Sequence, residues 1–437
     1  MKIKTVKKTY DQVMKLARPK AKDPRKPSNA LRLLIKILAS SDLKKVHFEY
    51  TAGDMKGVGD KEPALYLMNH SCFTDLMIAS RVIKGPYNIV STTDALVGKE
   101  SLMRAIGCIP TRKFQPDIRL IKDISYALKE LHTSVLMYPE AGYSFDGTTT
   151  TLPDSLGKFV KALGFPVVMI CTHGAFLRDP LYNGLRLRDV KITADKYTLF
   201  TPEELKQLSV SELNERIAEA FSFDAFKEQS EKGIKVTEPF RAEGLSRVLY
   251  KCPICRAEGR MKASGITLKC TECSAEWELT ELGKMKMINK GSSLHDEHDP
   301  SSAGLPLSFD HIPDWFKWER QCVRKEIESG FYRLDIPVHI YMIVDNKAFY
   351  EVDDGRLTHT DEGFRLTGCD GKLDFIQKPL ASYSVNSDYF FYEIGDMISI
   401  GDSDRLFYCF PPEGTDIVAK TRLAAEELYK IKKTSAH

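Results

Sequence analysis

Between residues 46 and 245, short runs of apolar residues alternate with longer stretches in which apolar residues recur every three or four positions. The short runs predict β-strands, and the longer stretches predict helices. The predicted strands are 46–50, 64–68, 88–91, 134–138, 166–171 and 190–194, and the predicted helices are 75–83, 117–131, 152–163 and 202–221. This alternation favours an α/β fold, in which helices cover a mixed sheet with parallel members.

The pattern changes after residue 245. Residues 246–290 contain two CxxC pairs around a short predicted hairpin at 260–269, and residues 291–330 predict a linker followed by a short helix at 315–329. Residues 331–437 predict a small β-rich domain that ends in a helix at 415–432. That order resembles a pleckstrin-homology-like (PH-like) barrel capped by a helix, and a partly open β-barrel of another kind fits it about as well.

Composition narrows the class of protein. The chain has 437 residues, enough for two to four domains, and 43% of them are hydrophobic. No run of 18 apolar residues occurs, so we expect no transmembrane span. Four of the ten cysteines form the CxxC pairs and the others are scattered, which indicates a reducing compartment and a metal site, not a disulfide framework.

Positive charge is concentrated at the N-terminus. Residues 1–45 carry 14 Lys and Arg against three Asp, a net charge of +11, while the whole chain has only +3. Leu31, Leu34, Ile35 and Leu38 form one stripe of a predicted helix, so we expect a basic amphipathic segment that binds an anionic membrane surface. A helix that covers a domain core is the alternative.

The candidate chemistry centres on the stretch NHSCFTD at residues 69–75. His70 follows an apolar strand, and Asp75 opens a helix five residues later. In an open α/β sheet, ligands bind at the carboxyl ends of the strands. The Asp75 carboxylate can fix the imidazole tautomer, so that the other ring nitrogen takes a proton from a substrate hydroxyl. The alternative is that Asp75 caps the helix beside a hydrogen-bonded His70.

Three further stretches follow in order: GCIPTRK at 107–113, YPEAGYS at 138–144 and GFPVVMI at 164–170. Together with NHSCFTD, they resemble the four motifs of the glycerophospholipid acyltransferase family, which includes the 1-acylglycerol-3-phosphate acyltransferases. The resemblance covers about residues 46–245. It implies O-acyl transfer without a covalent acyl-enzyme, with His70 as the general base and Asp75 as its orienting partner.

The resemblance also implies where the substrates bind. Arg112 would hold the acceptor phosphate, Glu140 would organise the acceptor site, and Pro166 with Val167 would shape the acyl-binding wall. Gly142, Tyr143 and Ser144 complete the third motif. Each polar residue also has a non-catalytic interpretation: Arg112 can be a solvated surface charge, and Glu140 can be a carboxylate at a helix N-terminus.

Two positions depart from the family pattern. Cys72 stands where the first motif usually has Ser; a catalytic thiol there has no adjacent cation to lower its pKa. Tyr143 stands where the third motif usually has a phosphate-binding Arg, and one hydroxyl replaces the fork of a guanidinium. The second departure therefore concerns the phosphorylated acceptor and leaves the acyl transfer itself unaffected.

The spacing Cys252-x2-Cys255, then 14 residues, then Cys270-x2-Cys273 predicts a metal site. Two CxxC turns can direct four thiolates at one ion, which gives the closed tetrahedral shell of a structural zinc. Redox disulfides are the competing interpretation. The module resembles a zinc ribbon, and its basic residues are offset by nearby glutamates, so we expect no nucleic-acid partner.

Taken together, the sequence predicts a lysophospholipid acyltransferase that acts peripherally on the cytoplasmic face of a membrane. The acyl donor would be acyl-CoA or acyl-carrier protein, the acceptor 1-acyl-sn-glycerol-3-phosphate, and the product phosphatidic acid. Another lysolipid or a glycolipid is the alternative acceptor. A non-catalytic lipid-binding regulator is the alternative from outside the enzymes.

Overall fold

The computed structural model describes residues 3–56, 58–59, 62–114, 117–184, 186–292, 308–402 and 404–435. Its first elements are β1 (Thr5–Lys7), α1 (Tyr10–Met14) and α2 (Asn29–Lys45). The next part contains β2 (Glu49–Ala52), β3 (Leu65–Met68), α3 (Asp75–Val82), β4 (Tyr87–Thr92), α4 (Glu100–Ala105), β5 (Cys108–Thr111), α5 (Ile118–Lys129), β6 (Ser134–Met137), α6 (Leu156–Leu163), β7 (Val167–His173), α7 (Ala175–Arg178), β8 (Thr193–Phe200), α8 (Pro202–Gln207), α9 (Val210–Phe221) and α10 (Ala225–Glu231).

The C-terminal half contains β9 (Met261–Ser264), β10 (Thr267–Cys270), β11 (Glu276–Leu279), β12 (Met285–Asn289), α11 (Ile312–Glu328), β13 (Leu334–Ile343), β14 (Phe349–Thr360), β15 (Gly363–Gly368), β16 (Leu373–Gln377), β17 (Asn386–Phe391), β18 (Gly395–Gly401), β19 (Leu406–Phe410) and α12 (Val418–Ser435). The predicted mixed α/β class is therefore confirmed. None of the described helices combines the length and the hydropathy that a membrane span requires.

The first sheet has seven strands in the order β2-β8-β7-β3-β6-β4-β5. Its central strand, β3, is buried along its whole length and runs parallel to β6 and β7. Strand β8 is antiparallel to β7. The parallel strands share one carboxyl edge, and that edge carries the loop that contains His70.

Several predicted bounds shift for local reasons. The single helix predicted at 202–221 is two helices, because Ser209 caps α9 through a reciprocal pair of hydrogen bonds with Glu212. The strand predicted at 190–194 begins at Thr193 and extends to Phe200. Helices α1, α4, α7 and α10 are additional to the prediction.

The N-terminal segment divides between two parts of the molecule. Strand β1 pairs in parallel with β14, so it joins the C-terminal sheet. Helix α2 packs on α3 and buries Ala39 and Leu43. Its other side exposes Leu33, Leu34, Ile37 and Leu38 by 49–63%. One face of the helix is therefore part of a core, whereas Leu31 and Ile35 of the predicted stripe are only partly exposed; membrane binding stays a prediction.

The second sheet is the small antiparallel sheet β12-β11-β10-β9 beside the cysteine cluster. Helix α11 begins at Ile312, three residues before the predicted start, and it is no linker element, because Trp315 is fully buried against Trp277 of β11. The linker residues 293–307 lie outside the described residues.

The third sheet has the order β16-β15-β14-β13-β19-β18-β17, with β1 added beside β14. Its seven main strands are antiparallel neighbours, and α12 follows them and packs on β17 and α11. The β-rich C-terminal region with a final helix is thus present. The PH-like assignment and the domain boundaries stay predictions.

Candidate active site

His70 and Asp75 meet in a tight turn at the carboxyl edge of the first sheet. Strand β3 ends at Met68, and α3 begins at Asp75, so the chain reverses within the loop. Oδ2 of Asp75 lies 3.0 Å from Nδ1 of His70 and accepts hydrogen bonds from the backbone N–H groups of Ser71, at 2.8 Å, and Cys72, at 3.2 Å. The carboxylate is almost fully buried, so these contacts fix its position.

The Asp75 contact decides which nitrogen of His70 is available. A carboxylate accepts a hydrogen bond, so Nδ1 carries the proton and Nε2 keeps its lone pair. Burial lowers the pKa of His70 below its usual 6.5, and the hydrogen bond and charge of Asp75 offset part of that effect. The imidazole is therefore neutral at pH 7 and can accept a proton at Nε2.

Two tyrosines hold the plane of the His70 ring. The ring centroids of Tyr138 and Tyr143 each lie 4.2 Å from that of the imidazole. Phe73 packs on Tyr143 with a centroid separation of 5.3 Å. Contact on both faces leaves the edge of the imidazole as the direction in which a substrate can approach.

Glu140 links the backbone of the His70 loop to the backbone of Thr150. Its Oε2 accepts a hydrogen bond of 2.8 Å from the backbone N–H of His70, and its Oε1 accepts one of 3.0 Å from the N–H of Thr150. Burial raises the pKa of Glu140 to about 7, although these hydrogen bonds act to lower it. Glu140 thus positions His70 and touches no substrate space.

A cavity of about 1020 Å³ opens beside His70. The first sheet and its helices contribute His70, Phe73, Leu76, Arg112, Lys113, Ile121, Tyr143 and Phe159 to its wall. The third sheet and α12 contribute Leu380, Tyr383, Asp388, Tyr389, Phe390, Tyr392 and Tyr429. A large, mostly apolar cavity with a few polar groups suits a ligand with an acyl chain and a polar head.

Comparison with known proteins addresses this part of the chain. Residues 45–173 match the sequence model of the Acyltransferase family. This segment is an acyltransferase-family domain. Among solved structures, the chain is similar to the 1-acyl-sn-glycerophosphate (LPA) acyltransferase PlsC from Thermotoga maritima, with 14% sequence identity and a TM-score of 0.33, over 43% of this chain and 78% of that one. No curated protein matches the sequence.

The resemblance inferred from the four motifs is thereby confirmed at the level of the family. The fourth motif lies within the matched residues of the acyltransferase domain, and the cysteine cluster lies outside them.

The remaining predicted residues of the acyltransferase domain lie at different distances from the cavity. Arg112 lines it and donates a 3.3 Å hydrogen bond from Nη1 to the carbonyl oxygen of Asp402. Ser144 is buried behind the wall, where its hydroxyl donates to the carbonyl of Thr148 at 2.6 Å. Gly142 is buried beside the guanidinium of Arg422. The loop 140–144 thus presents Ala141 and Tyr143 to the cavity, whereas Gly142 and Ser144 do not line it.

Pro166 lies at the wrong edge of the sheet for the role given to it. It precedes β7, and its carbonyl accepts a 2.9 Å hydrogen bond from the N–H of Leu65, the first residue of β3. Because β3 and β7 are parallel, Pro166 stands at the amino edge, whereas His70 stands at the carboxyl edge. Neither Pro166 nor Val167 lines the cavity among the residues described.

Cys72 does not have the surroundings of a nucleophile. Its thiol is buried, and burial together with the charge of Asp75 raises its pKa well above the usual value. A thiolate would be costly at this position. The geometry therefore favours His70 acting on a substrate hydroxyl.

The four cysteines Cys252, Cys255, Cys270 and Cys273 form a buried cluster whose sulfur atoms all lie within 4.8 Å of one another. The Sγ atoms of Cys252 and Cys273 are 3.7 Å apart, and those of Cys255 and Cys270 are 3.6 Å apart. Four sulfurs at about 2.3 Å from one tetrahedral ion would be about 3.8 Å apart, whereas a disulfide requires about 2.05 Å. The cluster therefore fits a metal such as zinc.

Proposed function

We propose that this protein transfers a fatty acyl group from a thioester donor, acyl-CoA or acyl-carrier protein, to the free hydroxyl of a lysophospholipid. The observation that carries the proposal is the His70–Asp75 pair of the acyltransferase-family domain, with Nδ1 and Oδ2 3.0 Å apart, in the wall of a mostly apolar cavity of about 1020 Å³. The first candidate acceptor is 1-acyl-sn-glycerol-3-phosphate, and its product is phosphatidic acid.

The proposed reaction proceeds in two proton-coupled steps. Nε2 of His70 removes the proton from the acceptor hydroxyl as its oxygen attacks the thioester carbonyl carbon. The tetrahedral intermediate then expels the thiolate, which takes the proton back from the imidazolium. The Asp75 carboxylate stabilises the imidazolium between these steps and remains ionised. The products are an ester and a free thiol.

A second acceptor class is supported by the third motif. Tyr143 lies against His70, where the family pattern has an arginine, so the domain offers one fewer guanidinium to a phosphate monoester. Arg112 remains at the cavity and is the proposed phosphate contact. Another lysolipid or a glycolipid is therefore the alternative acceptor.

We propose a peripheral position on the cytoplasmic face of an anionic membrane. Helix α2 presents the exposed side chains Leu33, Leu34, Ile37 and Leu38 within an N-terminal segment whose net charge is +11. An apolar face on a basic helix can enter the interface between headgroups and acyl chains. We also propose that the four-cysteine cluster holds one structural zinc, with no open coordination position for catalysis.

The test is acyl transfer by purified protein, with a panel of lysolipid acceptors and both donor types. His70→Ala should lower the rate by about 10²–10⁴-fold, because the general base is lost. His132→Ala is the matched control, since His132 is exposed and lies away from the cavity. Turnover by His70→Ala near that of the wild type would refute the mechanism. Lipid binding without any turnover by the wild type would favour the non-catalytic regulator.

A further inference from the structure

Asp388 is an acidic side chain of the third sheet that lies in the wall of the acyltransferase cavity. Its Oδ1 atom is buried and accepts no hydrogen bond from the residues described. Burial raises the pKa of this carboxyl to about 6, while the charges of Lys113 and Arg422 and a hydrogen bond from the backbone N–H of Tyr389 act to lower it. A buried carboxylate oxygen without a donor is costly unless a ligand supplies one.

The backbone next to Asp388 is held in an uncommon conformation. The pairing of β17 with β18 shifts register between Asp388 and Phe391. Phe390, Tyr392 and Glu393 all have positive φ, at 55°, 48° and 67°. Non-glycine residues adopt such angles at an energetic cost, and these conformations cluster at ligand sites. All three residues line the cavity, so the strained turn forms part of its wall.

Lys113 lies in the cavity wall on the acyltransferase side. It follows β5 and takes part in no hydrogen bond, or ion pair of 4 Å or less, within the described part of the chain. Burial lowers its pKa, while the negative charges of Asp388 and Asp94 raise it. The two side chains therefore line the same cavity with opposite charges and form no ion pair of 4 Å or less with each other.

Neighbouring charges already have partners. Asp94 accepts hydrogen bonds from Tyr392 at 2.9 Å and from Tyr408 at 3.5 Å. Arg422 donates to the hydroxyl and the carbonyl of Ser387, at 2.9 and 2.7 Å, and to the carbonyl of Tyr143. Asp388 and Lys113 thus retain the bonding capacity that a substrate headgroup can use.

From this arrangement we infer that Asp388 selects the acceptor by its headgroup. The headgroup would place a phosphodiester at Lys113, next to the phosphate contact proposed for Arg112, and an N–H or O–H donor beyond the phosphate at Asp388. An ethanolamine ammonium and a glycerol hydroxyl both supply that donor. A phosphate monoester would instead bring a second negative charge towards the Asp388 carboxylate. The inference rests on the proposed function and specifies its second acceptor class.

The test measures binding of monomeric short-chain lysolipids by calorimetry in the absence of any acyl donor. The probes are lysophosphatidylethanolamine, lysophosphatidylglycerol, lysophosphatidylcholine and 1-acylglycerol-3-phosphate. The wild type should bind the ethanolamine lipid, the glycerol lipid or both at least about tenfold more tightly than the choline lipid, whose trimethylated nitrogen has no N–H. Tight binding of the ethanolamine lipid alone would identify an ammonium site, and of the glycerol lipid alone a hydroxyl site.

Asp388→Asn should reduce that preference about tenfold, because a neutral amide oxygen replaces a carboxylate oxygen of the same shape. Asp353→Asn is the matched control: it makes the same change at an exposed position of β14 outside the cavity. An unchanged preference in Asp388→Asn would overturn the inference, as would a wild type without any preference.

Lys113→Gln separates the two halves of the subsite. It should weaken all the phosphodiester lipids to a similar degree and preserve the preference among them. Lys113→Gln also tests the inference if Asp388→Asn fails to fold. If Lys113→Gln loses the preference among the headgroups, Lys113 does not act on the phosphate alone, and the inference is wrong. Selective lysolipid binding without acyl transfer would refute the proposed function and leave this inference standing. Acyl transfer with an acceptor preference that Asp388→Asn does not change would refute only this inference.

Discussion

Glu140 offers a quantitative test of how the His70 loop is held. Its side chain is 1% exposed, and burial raises its pKa to about 7 from a usual value of 4.5. The folded protein thus keeps a proton on Glu140 that the unfolded chain releases. The stabilisation from this proton is complete below pH 4.5 and is lost as the pH rises through about 7.

The size of the effect follows from the two pKa values. One pKa unit corresponds to about 1.36 kcal/mol, so Glu140 accounts for at most about 3 kcal/mol of the free energy of unfolding. Glu140→Gln removes the titration but places an amide N–H group against the N–H of either His70 or Thr150, which costs about 1–3 kcal/mol at every pH.

We therefore expect Glu140→Gln to be less stable than the wild type at pH 5, and this difference to shrink by as much as about 3 kcal/mol towards pH 8. Urea unfolding of both proteins at pH 5, 6, 7 and 8 measures it. Glu130→Gln, at an exposed position after α5, is the control that should show no such convergence. The infrared carbonyl band of a buried, protonated carboxyl should be present in the wild type at pH 5 and weaker in Glu140→Gln. Parallel stability curves for the two proteins would refute the assigned pKa.

Three further outcomes are expected. Because burial lowers the pKa of His70, the acid limb of the pH–rate profile should lie below pH 6.5, and a limb above 6.5 would contradict the assignment. Asp75→Asn removes a group that raises this pKa, so it should move the acid limb to still lower pH and reduce the rate by about 10²–10⁴-fold. Metal analysis should find one zinc per chain, lost in Cys255→Ser together with the fold of β9–β12; two disulfides and no zinc would exclude the site. Replacing Leu34 and Leu38 by Ser should weaken binding to anionic vesicles at least tenfold, since each Leu buried in the membrane contributes about 1.5–3 kcal/mol. The wild type should retain part of its vesicle binding in 1 M salt. Equal binding by the wild type and the double variant would place the membrane contact elsewhere.

The features that sequence predicted well are local ones. His70 and Asp75 are five residues apart at a strand–helix junction, and the two CxxC turns are separated by one hairpin, so short-range spacing defines both arrangements. The alternation of strands and helices was sufficient for the fold class. The split of the helix at 202–221 depended on one capping interaction at Ser209, which competes weakly with an unbroken apolar pattern.

The errors and omissions concern long-range geometry. The resemblance implies that Pro166 shapes the acyl wall, but parallel strands begin at one edge and end at the other, and the structure places this residue before β7, at the edge opposite His70. Asp388 and Tyr389 reach the cavity from more than 300 residues beyond His70. No pattern of residues predicts that Asp388 and Tyr389 line the same cavity as His70, because this depends on how two sheets pack against each other.

The pairing of β1 with β14 has a consequence for how the protein is made. Thr5 pairs with Phe349, a residue that follows it by 344 positions. At a synthesis rate of about 5–20 residues per second, the first strand waits roughly 20–70 s on the ribosome before its partner exists. The third sheet, and the cavity wall that it provides, therefore cannot be completed until the strands from β13 to β19 have been synthesised. A bulky fusion before β1 could hinder the pairing of β1 with β14, so purification tags are better placed elsewhere.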